Sequence, residues 1–309
     1  MKLDENNNHH SHLRLTLLVA TRNRADRLRP FLTNLSSLDC SQPWELIIVD
    51  NGSTDETRRI LNDFTPHLTN PTRTQIVYEP RAGVSRARNT GIAHAGGDII
   101  AFTDDDCYPD ASYLNDILHQ FDVHQITYLG GRVTLYDTDD LRITTKEDPR
   151  PLAIPPYSFL ETGLIHGANM AVNRYALLDL GGFDERFGPG AALKSAEDIE
   201  LLARLSWCGY HGRYDPIPTV AHHHRIQDGA TQKKLYKQYD HGRGAYYLLY
   251  SLNKPSRSIY ISATFTYLCA SLKNDKALGR IARETKGAFH LITRHGLARP
   301  QAFNASMHC

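Results

Sequence analysis

What this chain is short of narrows its identity first. Its five cysteines (Cys40, Cys107, Cys208, Cys269 and Cys309) are odd in number, scattered along 309 residues, and never form a C-x-x-C pair. That argues against a disulfide scaffold and a zinc knuckle, and for a reducing compartment. A formal net charge of +1 lacks the basic excess of a nucleic-acid-binding domain, so no nucleic-acid partner is expected. Long apolar runs are missing too. The longest charge-free stretches, residues 244–253 and 258–272, are too short or too polar to span a bilayer. The first ten residues, MKLDENNNHH, have no apolar signal-peptide core. A soluble cytoplasmic protein is expected, attached at most to a membrane face.

What is present points to one large α/β body. Hydrophobic residues make up 41% of the chain, enough for a sizeable core. Residues 13–20 (LRLTLLVA), 44–49 (WELIIV), 74–78 and 98–103 read as strands. Helical stretches over 25–38, 56–64 and 84–95 lie between them, with Ser53 or Thr54 placed to cap the second. Strands alternating with helices of this size predict a mainly parallel sheet with right-handed crossovers. In such sheets ligands bind beyond the carboxyl ends of the strands. Asp50 and Asp104 each close a strand and should share that edge.

Asp104, Asp105 and Asp106 follow the fourth strand directly. Three adjacent carboxylates repel unless a cation neutralises them, and oxygen ligands suit Mg²⁺ or Mn²⁺. Residues 137–156 are rich in charge and proline and read as an excursion beside the site, and 167–172 (GANMAV) as a strand returning to the core. Beyond residue 228 the chain reads as helical, with Leu278, Ile281, Ala288, Phe289 and Ile292 forming an apolar stripe and Lys276, Arg280, Arg283 and Lys286 around it. Residues 251–309 carry nine Lys/Arg and two Asp/Glu, an excess of 9 − 2 = +7, which leaves 26 − 32 = −6 elsewhere. A basic tail on an acidic body predicts contact with an anionic surface, phospholipid headgroups first. The division expected is a tail over 1–12, a catalytic domain over 13–227 and a helical extension over 228–309.

Six motifs stand in order: Val19-Ala-Thr-Arg-Asn-Arg24, Val49-Asp-Asn-Gly-Ser-Thr-Asp55, Gly83-Val-Ser-Arg-Ala-Arg-Asn-Thr-Gly91, Phe102-Thr-Asp-Asp-Asp106, Gly181-Gly-Phe-Asp-Glu185 and Ala196-Glu-Asp198. Together they closely resemble the family 2 glycosyltransferases of GT-A fold, over roughly residues 14–245. The resemblance implies a metal-dependent, inverting transfer of sugar from a nucleoside-diphosphate donor, UDP-linked, to a glycan or lipid-linked acceptor. It places Asp50 on the nucleobase, Thr21 and Arg24 at base and ribose, and Arg88 near the phosphates. Asp104 would face the ribose and Asp106 the metal, with Asp105 ambiguous between them. Glu197-Asp198 matches the catalytic E-D pair, with Asp198 as general base; Ser195 ahead of it also looks like a helix cap. His222, first of His222-His-His224, has the spacing of a metal ligand, and imidazole beside carboxylate favours Mn²⁺. The histidines at 9, 10 and 12 read as a flexible tail.

Two departures bear on the base. Ala20-Thr21-Arg22 stands where the family often has Pro-Thr-Tyr, and Pro80 where a polar residue is frequent. Two rival functions use related residues: a sugar nucleotidyltransferase, which wants a glycine-rich loop that Thr21-Arg-Asn-Arg24 lacks, and a non-catalytic nucleotide-sugar-binding subunit.

Overall fold

The computed structural model describes residues 12–271 and 277–295. The first half alternates as the apolar runs predict: β1 (Leu15–Thr21), α1 (Leu28–Leu35), β2 (Trp44–Asp50), α2 (Thr57–Phe64), β3 (Arg73–Tyr78), α3 (Val84–His94), β4 (Ile99–Asp104). Then come β5 (Cys107–Pro109), α4 (Tyr113–His124), β6 (Tyr128–Leu135), β7 (Leu152–Ile154), β8 (Met170–Asn173), α5 (Arg174–Asp179), α6 (Glu197–Trp207) and β9 (Gly212–His222). Then follow α7 (Gly229–Leu252), α8 (Arg257–Ser271) and α9 (Ala277–His290), with a π-helical turn over Leu291–His295.

The strands form one mixed sheet in the order β3-β2-β1-β4-β8-β6-β9-β5, with β7 paired to β9. β3, β2, β1 and β4 are parallel, and β8 enters antiparallel between β4 and β6. Neighbouring side chains on a strand point to opposite faces. Leu17 and Val19 of β1 therefore pack with α1 and α4, while Leu18 joins the cluster holding Ala87 of α3 and Leu202 of α6. A sheet covered on both faces needs continuous apolar strands, which is what β1, β2 and β4 supply. Gly91 lets α3 sit close on β1, since a Cβ there would lie 2.5 Å from Leu18 Cδ1.

Local details differ from the sequence reading. Helix α2 is capped by neither Ser53 nor Thr54; Asp55 Oδ1 accepts from Thr57 N at 3.0 Å. The 167–172 stretch opens as a 3₁₀ turn over Gly167–Asn169, and only then becomes β8. Ser195 does not cap α6. Ala196 takes that position with φ 72°, and the Ser195 hydroxyl donates to Gln238 O and Tyr239 O of α7. Residues 1–11, which include His9 and His10, and Lys276 lie outside the described residues, whereas His12 meets Asp98 at 2.9 Å.

Candidate active site

The registers bring the motifs to one sheet edge. Thr21 at the end of β1 is paired with Asp50 at the end of β2, and Ala20 with Asp104 at the end of β4. β5 then pairs antiparallel with β9, setting Cys107 opposite His222 and so carrying that imidazole to the acidic run. A cavity of about 730 Å³ opens over this edge. It is lined by Thr21, Arg24, Arg88, Asp104, Asp105, Asp106, Glu197, Asp198 and His222, nine of the ten residues singled out from sequence.

Asp50 is the tenth, and it does not line the cavity. It is fully buried, with Oδ1 accepting from Ser53 N at 2.9 Å; its Oδ2 has no hydrogen-bond partner among the described residues. Its neighbour Asn51 does reach the cavity wall. Asn51 donates to the carbonyls of Glu79 and Arg81 and accepts from Gly83 N, fastening β2 to the loop that leads into α3. Gly52, the residue after Asn51, has φ 68°, and a Cβ there would come within 2.8 Å of Pro80 O, so the motif needs glycine twice over.

The three aspartates divide their tasks. Asp105 is buried, takes the Thr21 hydroxyl at 2.5 Å and Arg24 Nε at 3.0 Å, and burial pushes its carboxyl up to about 7. Burial acts the same way on Asp106, but His222 Nε2 at 3.4 Å and the Arg24 charge outweigh it and hold that carboxyl below its ordinary range. His222 is raised in return, its own burial overcome by Asp106. His222 Nδ1 has no partner among the described residues. His223 turns the other way, 3.9 Å from Asp137, and His224 Nε2 donates to Leu141 O. Asp106, Cys107 and His222 hold ligand atoms mutually within 4.8 Å, a set able to take a divalent cation. Burial drives the Cys107 thiol well up from its ordinary range in the metal-free protein.

Arg88 ties the two halves of the site. It donates to Asp104 at 3.1 Å and to Glu197 at 3.2 Å while almost fully buried. Burial, reinforced by Asp198, pushes Glu197 up to about 7 despite Arg88. Asp198 is locked by two backbone donors, Gly167 N at 2.9 Å and Ile199 N at 2.7 Å. The remaining motifs serve as scaffolding. Asn89 makes a two-way bridge to the backbone of Phe183, while Ser85 Oγ and Val84 N hold the carbonyls of Phe187 and Pro189. The 183–190 loop that leads toward α6 is thereby hooked to the start of α3.

Sequence reasoning missed Asn51, although it fills the variable place in the V-D-x-G-S motif. It also missed His166 and the α7 residues Leu235, Tyr236, Tyr239 and Arg243, all of which line the cavity. His166 directly precedes the GANMAV stretch, which was the one available hint; nothing in α7 announced a site.

A profile of the family described as "Glycosyl transferase family 2" matches residues 16–181, more than half of the chain. The chain belongs to the family 2 glycosyltransferases. Asp198 and His222 lie beyond the matched stretch of this family 2 member, so the structure, not the profile, joins them to the rest. A curated relative, the pre-mycofactocin glycosyltransferase of Mycobacterium tuberculosis, is 30% identical over 237 residues, covering 73% of this chain and 46% of the relative. The chain thus spans about half the length of that relative. Among solved structures, residues 1–349 of S. aureus TarS in complex with UDP-GlcNAc align with TM-score 0.61 at 16% identity, over 95% of this chain and 84% of that TarS chain. The mannosyltransferase PcManGT from Pyrobaculum calidifontis, in complex with GDP-Man and Mn²⁺, aligns with TM-score 0.55 at 20% identity, over 97% and 74%. Both share the GT-A fold seen here.

Proposed function

We propose that this family 2 chain moves a sugar from a nucleoside-diphosphate donor, UDP-linked, to a hydroxyl of a glycan or lipid-linked acceptor with inversion at C1. One observation carries the reading: the acidic run at the sheet edge and the Glu197-Asp198 pair at the start of α6 face one cavity, with Arg88 bonded to both sides. The UDP-GlcNAc and GDP-Man complexes of the two solved neighbours support a nucleotide-sugar donor. In this reading residues 13–227 are the catalytic body and 228–309 a helical extension. Thr21 and Arg24 sit at the base and ribose, Arg88 and Asp104 beside the ribose and phosphates. Asp50 is assigned to the base, and its Oδ2, without a hydrogen-bond partner among the described residues, is the acceptor atom it would use.

Asp106 and His222 fit a divalent cation, Mn²⁺ by donor type or Mg²⁺: carboxylate and imidazole stand 3.4 Å apart, and the other His222 nitrogen has no partner among the described residues. A cation bound there would supply charge stabilisation to the leaving diphosphate. The protein's own part is acid–base and positional. Asp198 takes the acceptor proton as that oxygen attacks C1, and the bond from C1 to the diphosphate oxygen breaks on the opposite face. Glu197, engaged by Arg88, orients that arginine rather than attacking.

The test is a donor panel with mass detection of product and of released nucleoside diphosphate. Asp198→Asn should lower turnover by about 10²–10⁴-fold and leave donor binding unchanged. Full turnover in that variant, or reaction only between a sugar 1-phosphate and a nucleoside triphosphate, would overturn the assignment.

A further inference from the structure

The two backbone positions that flank Ser195 are both left-handed. Lys194 has φ 66° and Ala196 has φ 72°, and neither is glycine. A Cβ in that region crowds the neighbouring carbonyl, so each such residue costs energy and persists only where its surroundings over-determine it. Directly after this elbow come Glu197 and Asp198, at the start of α6. The strain therefore sits on the turn that aims the acidic pair into the cavity.

Helix α7 holds the elbow. Ser195 is buried, and its hydroxyl donates to Gln238 O at 3.1 Å and Tyr239 O at 3.3 Å. The helix comes this close because Gly242 has no side chain: a Cβ there would fall 2.2 Å from Ser195 Oγ and 2.4 Å from Ser195 O. That stretch of α7 is itself anchored. Tyr239 Oη lies 3.1 Å from Thr144 Oγ1, and Asp240 accepts from Arg243 and Arg283. On the other side, Ser195 N donates to Leu193 O, and Leu193 N to Arg186 O, each at 2.9 Å. With its hydroxyl engaged by α7, Ser195 caps no amide of α6. Asp198 serves that turn instead, its Oδ1 accepting Ile199 N at 2.7 Å and its Oδ2 accepting Gly167 N at 2.9 Å. Gly167 cannot follow a displaced Asp198, since a Cβ there would already lie 3.0 Å from the Arg88 guanidinium.

Resting on the transferase reading, we infer that Ser195 is a positioning residue for the reaction: by fastening a strained elbow to α7 it fixes the Asp198 carboxylate where the acceptor proton is taken. It acts through Asp198 and not on the substrate. Without the hydroxyl, Ala196 relaxes toward ordinary negative φ and the first turn of α6 is re-aimed. Glycine at position 196 removes the reason to relax, because it occupies the left-handed region without strain. The two substitutions should therefore compensate each other, which loss of a cap or of packing alone would not produce.

The experiment uses the full chain as wild type, Ser195→Ala and the double variant Ser195→Ala with Ala196→Gly. Amide hydrogen exchange is followed by NMR at Gly167 and Ile199, whose N–H groups hold Asp198. Ser195→Ala should speed both by about tenfold, and the double variant should return both close to wild type. The second readout is release of nucleoside diphosphate from UDP-N-acetylglucosamine, UDP-glucose and GDP-mannose, with water as acceptor and Mn²⁺ present. There kcat should fall by about 10–10²-fold in Ser195→Ala with KM for the donor unchanged, and recover in the double variant. Unchanged exchange in Ser195→Ala, a loss that falls on KM, or a double variant no better than Ser195→Ala would each overturn the role. If Ser195→Ala does not fold, the double variant decides alone: it should fold and protect both amides as wild type does, and the role is lost if it does not. The expected exchange pattern in a wild type that hydrolyses none of the donors would instead count against the transferase reading itself.

Discussion

At the scale of the residue, adjacent positions with the same side chain come out as different chemical objects. Asp105 is drawn inward to Thr21 and Arg24 and favours its proton near neutrality, while Asp106, beside His222, stays ionised. Sequence supplied the triplet but could not say which member turns inward, because that depends on Thr21 ending its strand in register with the acidic run. Glu79 has an equally clear role that its sequence context hides. Arg81 donates to it twice from its side chain and once from its backbone, and the Thr90 hydroxyl adds a fourth contact, holding the carboxyl down at about 2. A folded-state value below the ordinary 4.5 means the ionised form stabilises the fold. That contribution is fully present above pH 4.5 and fades as pH falls toward 2. Urea unfolding of wild type and Glu79→Gln should show a stability gap that is constant above pH 5 and closes below it. A gap that kept its full size down to pH 2 would show that the Arg81 interaction is not what stabilises this loop.

At the scale of the element, two glycines set how α7 and α9 dock. A Cβ at Gly244 would lie 2.0 Å from Glu284 O, and one at Gly287 would lie 1.9 Å from His241 O, so α7 and α9 touch backbone to backbone. Gly279 in the same helix would meet only the end of Arg283, at 3.3 Å. Gly287→Ala should therefore destabilise by about 1–3 kcal/mol through overpacking. Gly279→Ala should be neutral, or gain up to about 1 kcal/mol from helix propensity. Thermal unfolding of the two variants checks this, and an equal effect of both would refute the close packing. The first strands and helices were legible because each buried strand is a short apolar run that stops at a polar turn. The antiparallel entry of β8 was not, since a run such as MAV carries no mark of direction. Nor was the part α7 plays in the site: its aromatic residues follow ordinary helical spacing, and only the contacts with Ser195 and Thr144 give them a chemical setting.

At the scale of the whole molecule, the charge asymmetry acquires a geometry. α9 buries Glu284 and Gly287, Leu291 just beyond it is buried too, and Leu278 and Phe289 stay exposed at 69% and 65%. The apolar stripe read from sequence thus turns partly outward. Arg283 is tied to Asp240 at 2.7 Å, but Lys254, Arg257 and Lys286 stay exposed. Among the described residues no helix is long and apolar enough to cross a membrane. An outward apolar stripe beside basic side chains fits peripheral contact with an anionic bilayer, in which the stripe inserts shallowly and the cations meet headgroups. The full chain should float with vesicles of mixed phosphatidylserine and phosphatidylcholine, less so with phosphatidylcholine alone, and lose binding as salt rises. Leu278→Glu combined with Phe289→Glu should abolish flotation while leaving nucleotide binding intact, because neither residue lines the cavity. Equal flotation of wild type and the double variant would remove the membrane from this account and leave the outward face of α9 to a protein partner.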